Sequence, residues 1–245
     1  MKIDNIYLPY SDFLSNINDS FKSNSNFTYV LEHVPPSDGL EYKKLIKQEF
    51  NQDLGFYNDL IEANDSIGNP IKNKIDGHYL SPSNLRYIYH ALVIKSKIQK
   101  WFNKTNLKII EIGGGYGGLC FYLKNIIKDV QVDYSIIDLP NANQLQKNFC
   151  NKMNLNVNIM SCFDINNINE NYDLLISNYC ISEIGIDNRL EYLNKIASKC
   201  DKKFYIWNSK SFEGLNLEEY TVEDERPQTN LDGYNKFIYS KNNDI

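Results

Sequence analysis

Residues 109–123 read IIEIGGGYGGLCFYL. An apolar run of strand type enters Gly113, Gly114, Gly115, Gly117 and Gly118, then passes into a helical pattern. Glycine reaches backbone conformations closed to other residues and lets the chain approach a ligand with no Cβ in the way. The helix that follows presents unpaired N–H groups and partial positive charge at its start. Five glycines in six residues cost too much chain entropy for an idle turn. The stretch reads as strand, ligand-holding turn and helix.

Downstream, short β-rich runs at 107–112, 132–137, 157–161, 174–177 and 204–207 alternate with helical runs at 117–128, 142–153 and 189–200. That alternation predicts parallel strands joined by crossovers. The extended pair 220–225 and 236–239 has no long helix between its members and predicts a hairpin closing one sheet edge. Upstream, Ser81-Pro82 is a helix entry, with Ser as N-cap, and Leu85, Ile88, Leu92 and Ile98 carry its apolar face to about residue 103. Residues up to about 75 are interrupted by Pro35-Pro36, Gly55 and Gly68-Asn69-Pro70, with helical spacing at 40–50 and 55–63. The expected architecture is an α/β, doubly wound, Rossmann-like and mostly parallel sheet with an antiparallel C-terminal edge hairpin. Residues 1–80 form a helical extension or cap, and residues 81–245 form the main domain.

Two ligands compete for the turn. Gly113, Gly115 and Gly118 satisfy the dinucleotide spacing GxGxxG, and Asp138 stands where a ribose-binding acid belongs. Against NAD, no Tyr-x-x-x-Lys pair occurs, and the unit follows a preamble of a hundred residues. Glu111 also sets a carboxylate at the turn, which suits an ammonium group better than a pyrophosphate. S-adenosyl-L-methionine (SAM) meets these demands: it is cationic at sulfur and amine, and Asp138 can grip both its ribose hydroxyls.

EIGGGYGG at 111–118, YSIIDLP at 134–140 and DLLISNYCISEI at 173–184 together resemble the motifs of a class I SAM-dependent methyltransferase. SIGNP at 66–70 and SPSNLRYIYH at 81–90 narrow the likeness. The chain, from about residue 60 to 240, resembles a bacterial sugar O-methyltransferase family associated with polysaccharide biosynthesis. The resemblance implies methyl transfer to a sugar hydroxyl of a nucleotide-linked sugar or glycan precursor. It implies that Glu111, Gly113, Gly115 and Gly117 line the methionine half of SAM, with Asp138 on the ribose and Leu139 on adenine. Cys162, Phe163 and Asp164 would lie beside the adenine, and Asn178 and Tyr179 nearest the methyl and the acceptor. Plainer readings make Asp164 a helix N-cap and Phe163 simple core.

Only Arg86, Arg189 and Arg226 supply guanidinium groups. Arg86 is expected to grip an anionic group of SAM or acceptor in bidentate fashion, its plainer reading being a surface salt bridge. Glu183 and His78 are the candidate proton acceptors, Glu183 provided that a closed cleft desolvates it. His90, on the same helix face as Arg86, reads as packed core or as support for it. The acidic run 223–225 could hold Mg²⁺, but successive strand residues face opposite ways, so it reads as a solvated edge and no metal site is expected.

Composition bounds the rest. Hydrophobic residues make up 42% of the 245, enough for a large core, so a disordered chain is excluded. A formal charge of −5 without a basic stripe argues against nucleic acid as a partner. The five cysteines lack CxxC spacing and read as buried thiols in a reducing compartment. No apolar run reaches the roughly 18–20 residues of a membrane span, and the N-terminus lacks a secretory apolar stretch, so a soluble cytoplasmic protein is expected. The sequence leaves the oligomeric state open.

Overall fold

The strand ahead of the glycines, β3 (Asn106–Ile112), lies mid-sheet, parallel to β4 (Gln131–Asp138) on one side and β6 (Tyr172–Asn178) on the other. The remaining sheet strands are β5 (Asn158–Ser161), β7 (Cys200–Trp207), β8 (Tyr220–Asp224) and β9 (Lys236–Ser240). In the computed structural model, which describes residues 8–229 and 232–242, the seven strands run in the order β5-β4-β3-β6-β7-β9-β8. β9 pairs antiparallel with both β7 and β8, forming the expected edge hairpin. Ile109, Leu174, Ile176, Phe204 and Ile206 enter one core, while Ile110, Leu175, Tyr205 and Trp207 enter the other. Side chains alternate between strand faces, so a sheet buried on both sides needs runs apolar throughout.

Helices α5 (Pro82–Trp101), α6 (Gly118–Ile126), α7 (Pro140–Lys152) and α9 (Ile186–Lys195) fill the intervals the sequence assigns to them. Ser81 heads α5, but its side chain makes no capping bond. Its hydroxyl donates instead to Glu32 Oε2 at 3.0 Å, and its N–H donates to Asp65 Oδ2 at 3.1 Å. α5 is buried nearly all round its first three turns because α3 (Pro36–Phe50) covers one side and α6 the other.

The N-terminal segment contains α1 (Leu8–Leu14), α2 (Ser25–Thr28), α3, α4 (Asn58–Asp65) and a hairpin of β1 (Asn73–Ile75) with β2 (His78–Leu80). The hairpin closes in a two-residue turn, with Asp76 at φ 44° and Gly77 at φ 88°. Tyr10, Phe27, Tyr42 and Ile46 share one core cluster with Leu92, Ile109 and Leu119, so the extension and the main domain bury their apolar faces together. Lys22 fastens them. It is 1% exposed, donates to Asn64 O at 2.8 Å and Asn64 Oδ1 at 2.9 Å, and lies 4.3 Å from the Tyr116 ring centre. Burial lowers its pKa to about 8.

All five cysteines are free, and all but the half-buried Cys180 are buried. Among the described residues no helix is long and apolar enough to cross a membrane.

Candidate functional site

The register aligns the carboxyl ends of the parallel strands: Ile112 stands opposite Ile137, Asp138 opposite Ser161 and Asn178 opposite Ile206. Gly113, Leu139, Cys162 and Tyr179 therefore leave the sheet at one edge, the edge at which open α/β sheets bind ligands. Gly113 holds φ +76° while its N–H donates to Ile137 O at 2.9 Å, and a Cβ there would stand 2.2 Å from Cys180 Cβ. Gly115, at φ +58°, passes Leu31 so closely that a Cβ would meet it at 3.1 Å. Both positions require glycine. Asp138 braces the turn. Its carboxylate accepts from Leu139 N at 2.8 Å and from Gln146 Nε2 at 2.8 Å, and the same Nε2 donates to Gly115 O at 2.9 Å. Burial pushes the Asp138 carboxyl up to about 6, against the hydrogen bonds that favour its charge.

Above this edge lies a cavity of about 1030 Å³. Gly113, Gly115, Asp138 and Leu139 line it from the first two strands, Cys162 and Phe163 from the third. Asn178, Tyr179 and Glu183 line it from the fourth strand and the short helix α8 (Cys180–Glu183). Phe163 is 49% exposed, so it is a cavity-wall aromatic and not core. Asn178 Oδ1 is buried with no partner among the described residues.

Other expected site residues lie elsewhere. Glu111 is 1% exposed and sits beneath the turn, outside the cavity lining, where its carboxylate accepts from the Tyr134 hydroxyl at 3.0 Å. Burial raises its pKa to about 8. Gly117 heads α6 against Phe149 and does not reach the cavity. Asp164 is exposed on a neighbouring hollow, and the cap ahead of it is Ser161, whose hydroxyl accepts from Phe163 N at 3.2 Å. His78 sits on β2, outside the cavity lining. Glu183 reaches the cavity but is exposed, so the desolvating cleft expected for it is not formed around it; the Asn208 amide donates to its carboxylate.

Arg86 is no surface ion-pair partner, nor does it line the cavity, where the expected grip on an anionic group would require it. It is 3% exposed, and its guanidinium donates to Leu31 O at 2.6 Å and lies 3.3 Å from His33 Nε2. It supports, from behind, the segment 29–33 that walls the cavity. His33 lines the cavity, and burial together with the Arg86 charge lowers its pKa to about 4.

No protein-family model matches the sequence, and no curated protein does. Solved structures resemble the fold. A Thermoplasma acidophilum protein, 1320, shares 17% identity over 66% of this chain and 91% of its own, with a TM-score of 0.45. M. capricolum TrmK, in complex with S-adenosylhomocysteine, shares 17% over 62% of this chain and 68% of its own, with a TM-score of 0.45. The plantazolicin methyltransferase BpumL, in complex with a monoazolic desmethylPZN analog and S-adenosylhomocysteine, shares 18% over 69% of this chain and 59% of its own, with a TM-score of 0.41. Such identities carry no residue roles from those proteins to this chain.

Two contributors to the site left no local signal in the sequence. One is the wall at 29–33, which precedes the glycine turn by some eighty residues and belongs to no motif. The other is Glu225. Glu223 and Asp224 have half-exposed or exposed side chains, as expected of a solvated edge, but Glu225 is fully buried. Its Oε1 accepts from the Tyr179 hydroxyl and lies 3.1 Å from His90 Nε2, and its Oε2 accepts from Asn235 Nδ2 at 2.8 Å. The sequence places Glu225 inside the extended run 220–225, whereas β8 ends at Asp224, so face alternation does not reach it.

Proposed function

We propose that this chain is a SAM-dependent O-methyltransferase acting on a sugar hydroxyl, in the assembly of a surface polysaccharide. One observation carries the reading: a half-buried carboxylate, Asp138, and an unpartnered buried carbonyl oxygen, on Asn178, flank a glycine turn inside a single cavity. A ribose diol calls for such a carboxylate, and an ammonium group for such a carbonyl oxygen. Leu139 and the exposed ring of Phe163 suit the two faces of an adenine. The cavity, at the top of the roughly 300–1,000 Å³ range of ligand pockets, leaves room for an acceptor beside the cofactor.

Bound there, SAM would supply a methyl group already activated by its sulfonium. The protein's part is to hold the acceptor hydroxyl in line and exclude water, which contributes up to ~7–11 kcal/mol in well-oriented systems. Asn188, Asn208, Ser209 and Thr229 give the acceptor end an uncharged polar wall. Its lysine, Lys210, pairs with Asp232 at 2.8 Å. This wall suits sugar hydroxyls better than a diphosphate, so a glycan precursor fits better than a nucleotide-linked sugar. Of the two candidate proton acceptors only Glu183 lines the cavity, and we assign it to accept the hydroxyl proton once a bound acceptor covers and desolvates it.

The test is calorimetric titration with SAM and with NAD. Asp138→Ala removes the carboxylate offered to the two ribose hydroxyls, and SAM affinity is expected to drop by at least roughly tenfold. Because the carboxyl titrates at about 6, affinity in the parent should hold above that pH and fall below it. Binding of NAD in preference to SAM, or parental SAM affinity in Asp138→Ala, sinks the assignment.

A further inference from the structure

At the acceptor end of the cavity, one side chain has every polar atom engaged except one. Asn235 is 2% exposed and lines the cavity. Its Nδ2 donates to Glu225 Oε2 at 2.8 Å and to Thr229 Oγ1 at 3.0 Å. Its backbone N–H donates to Gln228 Oε1 at 2.9 Å, and its backbone carbonyl accepts from Gln228 Nε2 at 2.8 Å and from Glu225 N at 3.0 Å. Oδ1 alone is buried with no partner among the described residues. A buried acceptor left unmet is costly, so a group held this way is built to receive a donor.

The amide cannot be turned over to relieve the deficit. Rotation would set Oδ1 against the Glu225 carboxylate and leave the carboxylate without its Asn235 donor. Glu225 cannot yield either, because it is fully buried and its other oxygen is engaged by Tyr179 and His90. Tyr179 also lines the cavity, at the end of the central strands, so the network runs from the methyl-transfer end of the cavity to Asn235.

We propose that Asn235 Oδ1 accepts a hydrogen bond from an uncharged hydroxyl of the methyl acceptor and so helps determine its specificity. That the donor belongs to a methyl acceptor rests on the methyltransferase reading; the demand of Oδ1 for a hydrogen-bond donor does not. A carbonyl oxygen with a buried carboxylate behind it repels phosphate or carboxylate oxygens and attracts a hydrogen-bond donor, and among donors the uncharged polar lining beside it, Asn208, Ser209 and Thr229, matches hydroxyls. The polyhydroxylated face of a sugar is the substrate chemistry that fits.

Glycerol serves as the probe, because its hydroxyls donate without charge. Crystals grown with S-adenosylhomocysteine and soaked in glycerol should show a glycerol hydroxyl within hydrogen-bond distance of Asn235 Oδ1. In Asn235→Leu crystals the glycerol should be gone from that position. SAM affinity of Asn235→Leu should stay within about twofold of the parent. Glycerol ordered elsewhere in the cavity with only water on Oδ1 overturns the proposal, as does an Asn235 amide found bonded within the protein on both sides. So does a large loss of SAM affinity in the variant, which would place Asn235 in the cofactor's half. Should the leucine variant not fold, the parent soak decides alone. A parent that takes glycerol at Asn235 but binds neither S-adenosylhomocysteine nor SAM refutes the methyltransferase reading and leaves the hydroxyl site standing.

Discussion

Replacing Glu111 by glutamine should make the protein more stable, by an amount that grows with pH. The carboxyl is 1% exposed beneath the glycine turn, and burial raises its pKa from 4.5 to about 8. Between those values the folded chain holds a proton that the unfolded chain has released, so stability falls as pH rises through the window. At about 1.4 kcal/mol per pH unit, the stretch from 4.5 to neutrality amounts to roughly 3 kcal/mol. Glutamine retains an oxygen to accept from Tyr134 and cannot ionise. Urea unfolding of parent and Glu111→Gln should give similar stabilities at about pH 4 and a gap widening toward roughly 3 kcal/mol at about pH 7. Parallel pH profiles would refute the reasoning, since they would mean that the folded state carries Glu111 at no desolvation cost.

Arg86→Lys keeps the charge but delivers one donor point where the planar guanidinium reaches both Leu31 O and His33; methyl-transfer assays should show a loss of at least roughly tenfold, as for a broken charged hydrogen bond, with SAM affinity changed much less. Gly113→Ala forces a Cβ into Cys180 at φ +76°, and thermal unfolding should register a loss of roughly 1–3 kcal/mol or outright failure to fold. Lys22 titrates at about 8 when folded against 10.5 when unfolded, so its contribution to stability should rise as pH climbs through that interval; Lys22→Met should flatten that part of the profile, and an unchanged slope would show that the ammonium is not buried as described.

The order of strands and helices was legible because a doubly covered sheet needs runs such as Ile109–Ile110 and Leu174–Leu175–Ile176, whose apolar character is local. The same holds for the binding edge: Gly113 and Asp138 lie one residue from strand ends that the sequence marks. Misreadings arose where a side chain's partner is distant. Ser81 looks like a cap, yet Glu32, forty-nine residues away, takes its hydroxyl. Glu225 looks solvated, as charged residues usually are, and Arg86 looks like a grip on a ligand's anionic group; only tertiary packing turns Glu225 inward and sets Arg86 on Leu31 O and His33. His78 is held outside the cavity lining by the β1–β2 hairpin, whose three-residue strands are too short to mark themselves in the sequence.

The bond between His90 and Glu225 spans 135 residues of chain, and Glu225 also satisfies Tyr179 and Asn235. During synthesis α5 and β6 are made well before Glu225 emerges, so His90 and Tyr179 cannot meet it until the chain through residue 225 is available. Contacts of such sequence separation carry a large loop-closure cost, which slows folding. A nascent chain halted before Glu225 would therefore hold the glycine turn and the entry helix in a state that chaperones and proteases can still open. Closure of the cavity wall at Tyr179 and Asn235 would then wait on residue 225.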